Sequence, residues 1–304
     1  MSLKENFLNK SNSYNFYKKE YELLSTKYDN ALRKIEDLKT ENALLKKEKN
    51  QLMDNFSIIN KSIESLKDDV NVNFEEELSR TKEINYAFVF NDTISESDWL
   101  KKRDFSLNNS ASNYSFMYTL FRILDEVNPK NILELGLGQT SKMTSQYANY
   151  YPDSNLMIVD GDQGWIDVFS EKFEISDNIN ILQCDTEMFE YNGTENLRFA
   201  NLEDVVGDNK FDLIIIDAPQ GFIFNPGYHL FDYSRSNIWN LLDNLADDFI
   251  IILDDFNRQG EKNTMSHLEE LLKERKIDYY HFQSSGIKDQ YAICSENYRF
   301  VTWF

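Results

Sequence analysis

Apolar side chains repeat with a period of 3.5 residues along the first quarter of the chain. With Tyr21 taken as heptad position a, the 3-4 spacing of apolar positions continues without interruption to Val70. This period is typical of helices that wind around each other in a left-handed coiled coil. Asn42 falls at an a position, where a polar side chain favours two parallel strands. We predict a coiled coil over residues 1–70 that forms a homo-oligomer, with a parallel dimer favoured. The alternative is a long helix that folds back on its own domain.

A different pattern begins at residue 112, where short apolar runs alternate with segments of helical period. The predicted strands are 132–135, 155–159, 179–184, 211–216, 249–253, 279–282 and 291–294. The predicted helices are 114–127, 141–150, 165–173, 234–245 and 262–275. Near-continuous apolar strands separated by helices predict an α/β fold with a mostly parallel sheet covered on both faces. Ligands bind such sheets beyond the carboxyl ends of the strands.

Glycine and proline mark the boundary between these two patterns. All ten glycines lie at or after Gly136, and all four prolines lie at or after Pro129. Because both residues punctuate folded α/β domains and interrupt helices, we predict a connector over residues 71–111 and a domain over 112–304. Within the connector, the apolar run 86–90 is either a short strand or a segment that packs on the following domain.

The formal net charge of the chain is -20, and residues 1–70 carry a net +1 whereas the remainder carries -21. Such a body repels phosphate backbones and anionic membrane surfaces, which argues against nucleic-acid partners. The sequence shows neither an apolar run of membrane-spanning length nor the apolar core of a signal peptide. Cys184 and Cys294 both lie in apolar, strand-like runs, as expected for buried reduced thiols. These features predict a cytoplasmic protein without a transmembrane segment.

Residues 131–141, reading NILELGLGQTS, predict a strand, a glycine turn and a helix in direct succession. Gly136 and Gly138 allow a sharp turn and the close approach of a ligand. The N-terminus of the helix that follows offers unpaired N–H groups to polar ligand atoms. Glu134, at the end of the strand, and Thr140, in the first turn of the helix, complete the candidate cofactor-binding residues.

The order E-x-G-x-G resembles motif I of the class I S-adenosylmethionine (SAM) methyltransferases. This resemblance implies a Rossmann-like fold with a seven-stranded, mostly parallel sheet, and SAM as the cofactor. It also implies that Asp160, after the second strand, binds the ribose hydroxyls, with Asp162 as the competing candidate, and that Asp185 lies near the adenine. A nicotinamide dinucleotide is the weaker alternative, because Ser141 stands where its fingerprint has a third glycine.

Acidic residues also follow two later strands. Asp217 follows the strand 211–216, and Asp254 and Asp255 follow the strand 249–253. Neighbouring parallel strands would bring the three carboxylates together, where they repel each other unless they share protons or hold a cation. We therefore predict that these residues are catalytic, either as a general base or as ligands of Mg²⁺ or Mn²⁺.

Two further motifs resemble particular methyltransferases. The sequence DAPQG at 217–221 and the sequence DDFNRQGE at 254–261 are similar to bacterial enzymes that methylate surface polysaccharides and to plant glucuronoxylan O-methyltransferases. The acids also resemble those of the metal-dependent catechol-type and macrolide-sugar O-methyltransferases, although the catechol-type site has Asp-Asn where this chain has two aspartates. The resemblance implies that a sugar hydroxyl or a related small molecule is the acceptor.

Arg235, Arg258 and His229 are the candidate acceptor-binding residues. The two arginines could bind an acidic sugar, or each could pair with one of the many local acids. Together, the motifs predict a SAM-dependent O-methyltransferase that acts on a glycan or small acceptor, with a divalent metal as a further hypothesis. The alternative is a coiled-coil assembly protein whose methyltransferase-like domain is not catalytic.

Overall fold

The computed structural model describes residues 3–107, 111–191, 193–224 and 230–304. The chain divides into two compact units, Met1–Asn73 and Phe74–Phe304. The described residues of the first unit lie within helix α1, Leu3–Thr93, which contains neither glycine nor proline. None of the described helices is both long enough and apolar enough to cross a membrane.

The long helix confirms the helical part of the coiled-coil prediction. Every large apolar residue at the predicted a and d positions between Tyr21 and Val70 is at least 49% exposed in the single chain. Uncovered apolar surface of this extent has no partner within its own unit. Oligomerisation through these positions remains a prediction.

The second unit contains a large sheet and two small ones. The strands are β1 Asn131–Leu135, β2 Asn155–Asp160, β3 Ile179–Gln183, β4 Thr186–Tyr191, β5 Thr194–Phe199, β6 Phe211–Ile216, β7 Phe222–Phe224, β8 Leu230–Asp232, β9 Ser234–Arg235, β10 Leu245–Leu253, β11 Tyr280–Ser285 and β12 Asp289–Cys294. The large sheet has seven strands in the order β3-β2-β1-β6-β10-β12-β11. Only β12 runs against the others, because it pairs antiparallel with both β10 and β11.

This topology confirms the predicted Rossmann-like class I methyltransferase fold. The chain starts at β1 in the middle of the sheet, moves outward to β3, and returns to the other side of β1 with β6. The strand order therefore reverses between β1 and β6. In open α/β sheets, this switch point is where ligands bind.

Helices cover the sheet and bury its apolar side chains. The helices after α1 are α2 Tyr114–Val127, α3 Gln139–Tyr150, α4 Gln163–Lys172, α5 Leu202–Val206 and α6 Gln259–Glu274. Alternate residues of β1 enter two different cores: Ile132 packs in the core that includes α2 and α3, and Leu133 packs in the core that includes α6. Each fully buried aliphatic side chain of this kind contributes about 1.5–3 kcal/mol to folding.

The predicted helix over residues 234–245 is wrong. Two 3-10 turns, Ser236–Asn240 and Leu242–Asn244, lie between β9 and β10 instead. Asn237 accounts for the difference, because its side chain accepts a hydrogen bond from Phe199 N at 2.8 Å and donates to Phe199 O at 3.0 Å. These bonds tie the segment to β5, and its apolar residues are buried without a regular α-helix. The hairpin formed by β4 and β5 was also not predicted.

The predicted connector begins as a continuation of α1, so residues 86–90 are helical and not a strand. The alternative expectation of packing is confirmed, because Phe90 is 2% exposed and contacts the rings of Phe105 and Tyr114. The same part of α1 contributes one buried acid, Glu83. Its Oε2 accepts hydrogen bonds from Asn113 Nδ2 at 2.9 Å and from Ile287 N at 3.1 Å.

Candidate functional site

The glycine loop that follows β1 lies against the end of β6. Gly136 has a φ of +110°, and a Cβ at this position would lie 3.0 Å from Ala218 Cβ and 3.2 Å from the carbonyl carbon of Asp217. The left-handed backbone and the close approach both require glycine. In consequence, the loop between β1 and α3 is held next to Asp217, at the switch point of the sheet.

Glu134 supports this loop from below. It is completely buried, and it accepts hydrogen bonds from the hydroxyls of Thr140 at 2.6 Å, Ser141 at 2.8 Å and Thr144 at 2.6 Å. Burial raises the pKa of Glu134, and the three hydroxyl groups oppose the rise. Ser141 Oγ also accepts a hydrogen bond from Gly138 N at 2.9 Å, which caps α3. Glu134 and Thr140 therefore shape the loop without reaching its open side.

Asp160 fastens the loop from the side of β2. Its Oδ2 accepts a hydrogen bond from Leu137 N at 2.8 Å, and its Oδ1 accepts one from Asp162 N at 2.9 Å. Asp162 caps α4 by accepting a hydrogen bond from Trp165 N at 3.1 Å. Trp165 Nε1 then donates to Leu137 O at 2.7 Å, so both polar backbone groups of Leu137 are fixed. These hydrogen bonds fix the conformation of the loop.

A cleft of about 450 Å³ opens beside the loop, beyond the carboxyl ends of the strands. It is lined by Asp160, Gly161, Asp162, Thr186, Leu197, Phe199, Ala218, Pro219 and Gln220. No atom lies within 4 Å of a Cβ built on Gly138, so this glycine faces open space. Asp185 is exposed near this cleft, and its Oδ1 accepts a hydrogen bond from Gln183 Nε2 at 2.7 Å.

SAM fits these surroundings in size and in charge. The cleft volume falls within the range of about 300–1,000 Å³ that small-molecule sites occupy. A cationic ligand gains from the acidic groups at its rim, and the two carboxylates after β2 suit ribose hydroxyls as hydrogen-bond acceptors. Gly138 leaves room for a ligand to approach the backbone.

The three predicted acids meet at the ends of β6 and β10. One carboxylate oxygen from each of Asp217, Asp254 and Asp255 lies within 4.8 Å of the others. The side chains of Asp254 and Asp255 are 0% and 5% exposed, whereas that of Asp217 is 27% exposed. Asp217 is therefore the member of the cluster that a substrate can reach.

Three basic side chains compensate these acids. Lys288 Nζ lies 3.0 Å from Asp254 Oδ2 and 3.0 Å from Asp255 Oδ1. The Arg235 guanidinium lies 3.1 Å from Asp255 and 3.5 Å from Asp217, and Arg258 lies 2.7 Å from Asp255. A buried carboxylate pair is stable when cations and hydrogen bonds occupy its oxygens in this way.

The sequence motifs after β6 and β10 also touch each other. Glu261 is completely buried, and its Oε1 lies 3.4 Å from Arg235 Nε and 3.5 Å from Arg258 Nη1. A Cβ on Gly221 would collide with this carboxylate, so the glycine of the first motif makes room for the glutamate of the second. Residues of the two motifs, together with Arg235 and Lys288 from outside them, thus form one acid–base cluster. We define it as Asp217, Arg235, Asp254, Asp255, Arg258, Glu261 and Lys288.

The pKa values of Asp217 and Glu261 are raised, whereas the pKa of Asp255 is lowered. Burial, together with the charge of Asp254, raises the pKa of Asp217 to about 7, against the opposing charges of the basic residues. Burial also raises the pKa of Glu261 to about 7. Burial would raise the pKa of Asp255 as well, but Arg235, Lys288 and Arg258 together hold it below its ordinary value. Near neutral pH, Asp217 can therefore accept and release a proton while Asp255 stays ionised.

A divalent metal does not fit the cluster as it stands. Lys288, Arg235 and Arg258 engage both oxygens of Asp255, and Asp254 Oδ1 accepts a hydrogen bond from Gln290 Nε2 at 2.8 Å. Magnesium and manganese bind through such carboxylate lone pairs, and here ammonium, guanidinium and amide groups use them. The donor set therefore balances the charge of the acids without a metal.

The candidate acceptor-binding residues lie in different surroundings. Arg235 is 3% exposed and faces the acids of the cluster, as in the alternative that pairs each arginine with local acids. Arg258 is also paired, but 22% of its side chain is exposed. His229 lies outside the described residues.

Lys288 and Gln290 were not identified from the sequence. Both lie in the hairpin of β11 and β12, and neither belongs to a motif. Only the topology of the sheet could have indicated them. Because β12 pairs antiparallel with both β10 and β11, β11 runs parallel to β10. The tip of this hairpin therefore reaches the same edge of the sheet as Asp254.

No protein-family model matches the sequence, and a search of curated proteins finds no match. Among solved structures, the chain is similar to a caffeoyl-CoA O-methyltransferase candidate from Staphylococcus aureus at 15% identity, with a TM-score of 0.37 over 74% of this chain and 97% of that chain. It is also similar to an S-adenosylhomocysteine-bound methyltransferase from Podospora anserina at 14% identity, with a TM-score of 0.35 over 73% of this chain and 93% of that one. A methyltransferase from Geobacter sulfurreducens matches at 13% identity, with a TM-score of 0.39 over 69% of this chain and 89% of that one. These structural neighbours are methyltransferases, but at this distance the fold assignment rests on the strand order of the sheet itself.

Proposed function

We propose that the protein is a SAM-dependent O-methyltransferase whose acceptor is a hydroxyl of a glycan sugar or a related small molecule. The observation that carries the proposal is the position of Asp217, a partly exposed acid with a pKa of about 7, beside the glycine loop at the switch point. Methyl transfer needs alignment and a group that accepts the hydroxyl proton, and this arrangement offers both.

In this proposal, the chain supplies binding, orientation and a base. SAM, when bound over Gly136 and Gly138, brings a methyl group on a positively charged sulfur. Asp160 and Asp162 bind the ribose hydroxyls, and Asp185 lies towards the adenine. Asp217 accepts the proton of the acceptor hydroxyl while the oxygen of that hydroxyl bonds to the methyl carbon. The bond between this carbon and sulfur breaks, and S-adenosylhomocysteine would be the leaving group. The exposed fraction of Asp217 then lets this proton return to solvent.

A sugar acceptor is the finer part of the proposal. It is supported by the resemblance of the motifs after β6 and β10 to those of polysaccharide and glucuronoxylan O-methyltransferases. Arg258 supports an acidic sugar, since its side chain is partly exposed beside Asp255. We also propose that the exposed apolar positions of α1 join copies of the chain in the cytoplasm, with a parallel dimer as the expected state.

A titration of the full chain with S-adenosylhomocysteine tests the cofactor. We expect micromolar affinity for this product and no binding of NAD. A panel of neutral and acidic sugars with isotope-labelled SAM then tests the reaction. Asp217→Asn should bind S-adenosylhomocysteine like the wild type but transfer at least about 100-fold more slowly, the usual loss on removing a general base. The control is Asp247→Asn, which changes an exposed acid on β10 and should leave both properties intact.

The rival function is an assembly protein that uses only the exposed stripe of α1. This stripe is the specific observation in its favour. If the protein oligomerises but binds no S-adenosylhomocysteine, the assembly function replaces the enzyme. If NAD binds instead, the glycine loop serves a dinucleotide.

A further inference from the structure

Lys288 is a buried lysine at a position where a cation bridges two carboxylates. Its side chain is 8% exposed, and its ammonium lies 3.0 Å from an oxygen of Asp254 and 3.0 Å from an oxygen of Asp255. These are two of the three acids that the sequence pattern offers to a metal. Lysines are rarely buried unless they are paired, and the pairing with these two acids accounts for the burial of Lys288.

The backbone around Lys288 is fixed as firmly as its ammonium. Gly286 N donates to Lys288 O at 3.0 Å, and Asn113 Nδ2 donates to the same oxygen at 3.4 Å. Ile287 N donates to Glu83 Oε2 at 3.1 Å. A lysine side chain normally loses much freedom when it is placed in one geometry. Here the backbone bonds fix the point from which the side chain extends, so that only its own rotamers remain to be ordered.

The charges of the acid–base cluster nearly balance without a further cation. Seven ion pairs within 4 Å join its four acids to its three basic residues. One proton shared among the four acids makes this set neutral. A dication added to it would meet the ammonium at the same oxygens and leave a buried excess of positive charge, which is costly.

We propose that Lys288 takes the place of a divalent metal ion, so that the cluster functions without metal. The ammonium pairs with Asp254 and Asp255, and Asp217, the most exposed of the three acids, is left as the proton acceptor. This inference deepens the proposed function and rests on it for the reaction, but the bridging role of Lys288 can be tested without any turnover.

The substitution of an ammonium for a metal has a consequence for the acceptor. A metal can chelate two neighbouring oxygens, whereas an ammonium has three N–H donors. Within the described part of the chain, the two aspartates use two of these donors. Because the ammonium is buried against the two aspartates, it offers no position where two acceptor oxygens could be chelated, and the acceptor hydroxyl meets Asp217. We therefore expect that the acceptor needs one hydroxyl and not a vicinal diol.

The experiment measures Mn²⁺ binding by electron paramagnetic resonance on the full chain at about 0.15 M salt, which screens weak binding to the acidic surface. Wild type should show no site at the cluster. Lys288→Ala should gain a site for Mn²⁺ at least about tenfold tighter than any in wild type, because Asp254 and Asp255 lose the cation that bridges them next to Asp217. Lys288→Arg keeps the charge and should gain none. Lys262→Ala removes an exposed lysine on α6 and is the matched control.

Two results would overturn the inference. One is a Mn²⁺ site in the wild type that Asp254→Asn abolishes. The other is a folded Lys288→Ala protein that binds no more Mn²⁺ than the wild type. If Lys288→Ala folds poorly, its thermal unfolding with and without Mn²⁺ gives the same information, since a gained site raises the midpoint and the absence of any rise contradicts the inference. Failure of S-adenosylhomocysteine binding would instead count against the proposed function and would leave the Mn²⁺ results unchanged.

Discussion

The buried acids on the two sides of the switch point are stabilised by different kinds of partner. Below the glycine loop, Glu134 accepts hydrogen bonds from three hydroxyl groups, and no basic residue is among its described partners. Across from it, Asp254 and Asp255 bond to ammonium and guanidinium groups. Hydroxyl donors can turn to suit a neutral or a charged partner, whereas fixed cations select the charged form.

This difference distinguishes an acid that supports a loop, Glu134, from acids that can move a proton. The neutral partners of Glu134 hold a loop in place whatever its protonation state. The cations of the acid–base cluster spread the pKa values of neighbouring acids, lowering that of Asp255 while that of Asp217 remains at about 7. Sites that move protons commonly contain titratable groups pushed apart by their surroundings.

The largest effect should follow from removing a cation of the cluster. Arg235→Met removes the guanidinium that lies within 4 Å of Asp217, Asp255 and Glu261, so we expect the free energy of unfolding to fall by about 3–5 kcal/mol. Urea unfolding measures this change. Arg80→Met, which breaks an exposed ion pair on α1, is the control and should cost less than about 1 kcal/mol. Equal effects of the two substitutions would refute the distinction between cluster and surface.

The pH dependence of stability tests Asp217 next. Its pKa is 3.8 in the unfolded chain and about 7 when folded, so the folded state favours the protonated form. Its contribution to stability is complete below pH 3.8 and is lost as the pH rises through 7. Asp217→Asn should therefore lose about 2 kcal/mol less than the wild type between pH 5 and pH 8. Denaturant unfolding across this interval measures the difference, and parallel curves would contradict the raised pKa.

The two glycines of the loop should respond differently to alanine. Gly136→Ala places a side chain in a left-handed conformation against Ala218 and should cost about 2 kcal/mol. Gly138→Ala meets no atom within 4 Å and should leave the unfolding midpoint unchanged while weakening S-adenosylhomocysteine binding. Thermal unfolding and calorimetric titration of both variants check this. Unchanged ligand affinity in Gly138→Ala would argue against a cofactor over this glycine.

Glu134→Gln should lower the free energy of unfolding by less than Gly136→Ala does. The amide keeps the shape of the side chain and one acceptor oxygen, and the hydroxyl of Thr144 can turn to accept from the new N–H group. We expect a loss of about 1 kcal/mol in the free energy of unfolding, the usual value of one altered hydrogen bond. A loss as large as that of Arg235→Met would mean that Glu134 acts as a charge and not as a neutral support.

The glycine loop could be predicted from the sequence because its partners are close neighbours. Glu134 and the hydroxyls that it accepts from lie within ten residues of each other. The acids after β6 and β10 could also be predicted, since strand ends converge in a parallel sheet. The compensating cation could not, because Lys288 meets Asp254 only through the pairing of β10, β12 and β11.

The irregular segment before β10 shows a second limit of sequence patterns. Its apolar residues have the spacing of a buried helix, yet the side chain of Asn237 bonds to the backbone of Phe199 on β5. That strand belongs to a hairpin in which polar residues interrupt the apolar ones, so no apolar pattern indicated it. Local periodicity therefore gave the right burial and the wrong backbone.

Glu83 determines where this protein can be divided. It belongs to α1, yet it hydrogen-bonds to Asn113 before α2 and to Ile287 in the last hairpin. A gene fusion or recombination joint near residue 73 would transfer the α/β domain with this carboxylate, whereas a joint at residue 111 would separate the two. The segment that must be transferred as one piece therefore begins inside α1, and the last turns of this helix belong to the domain that they precede.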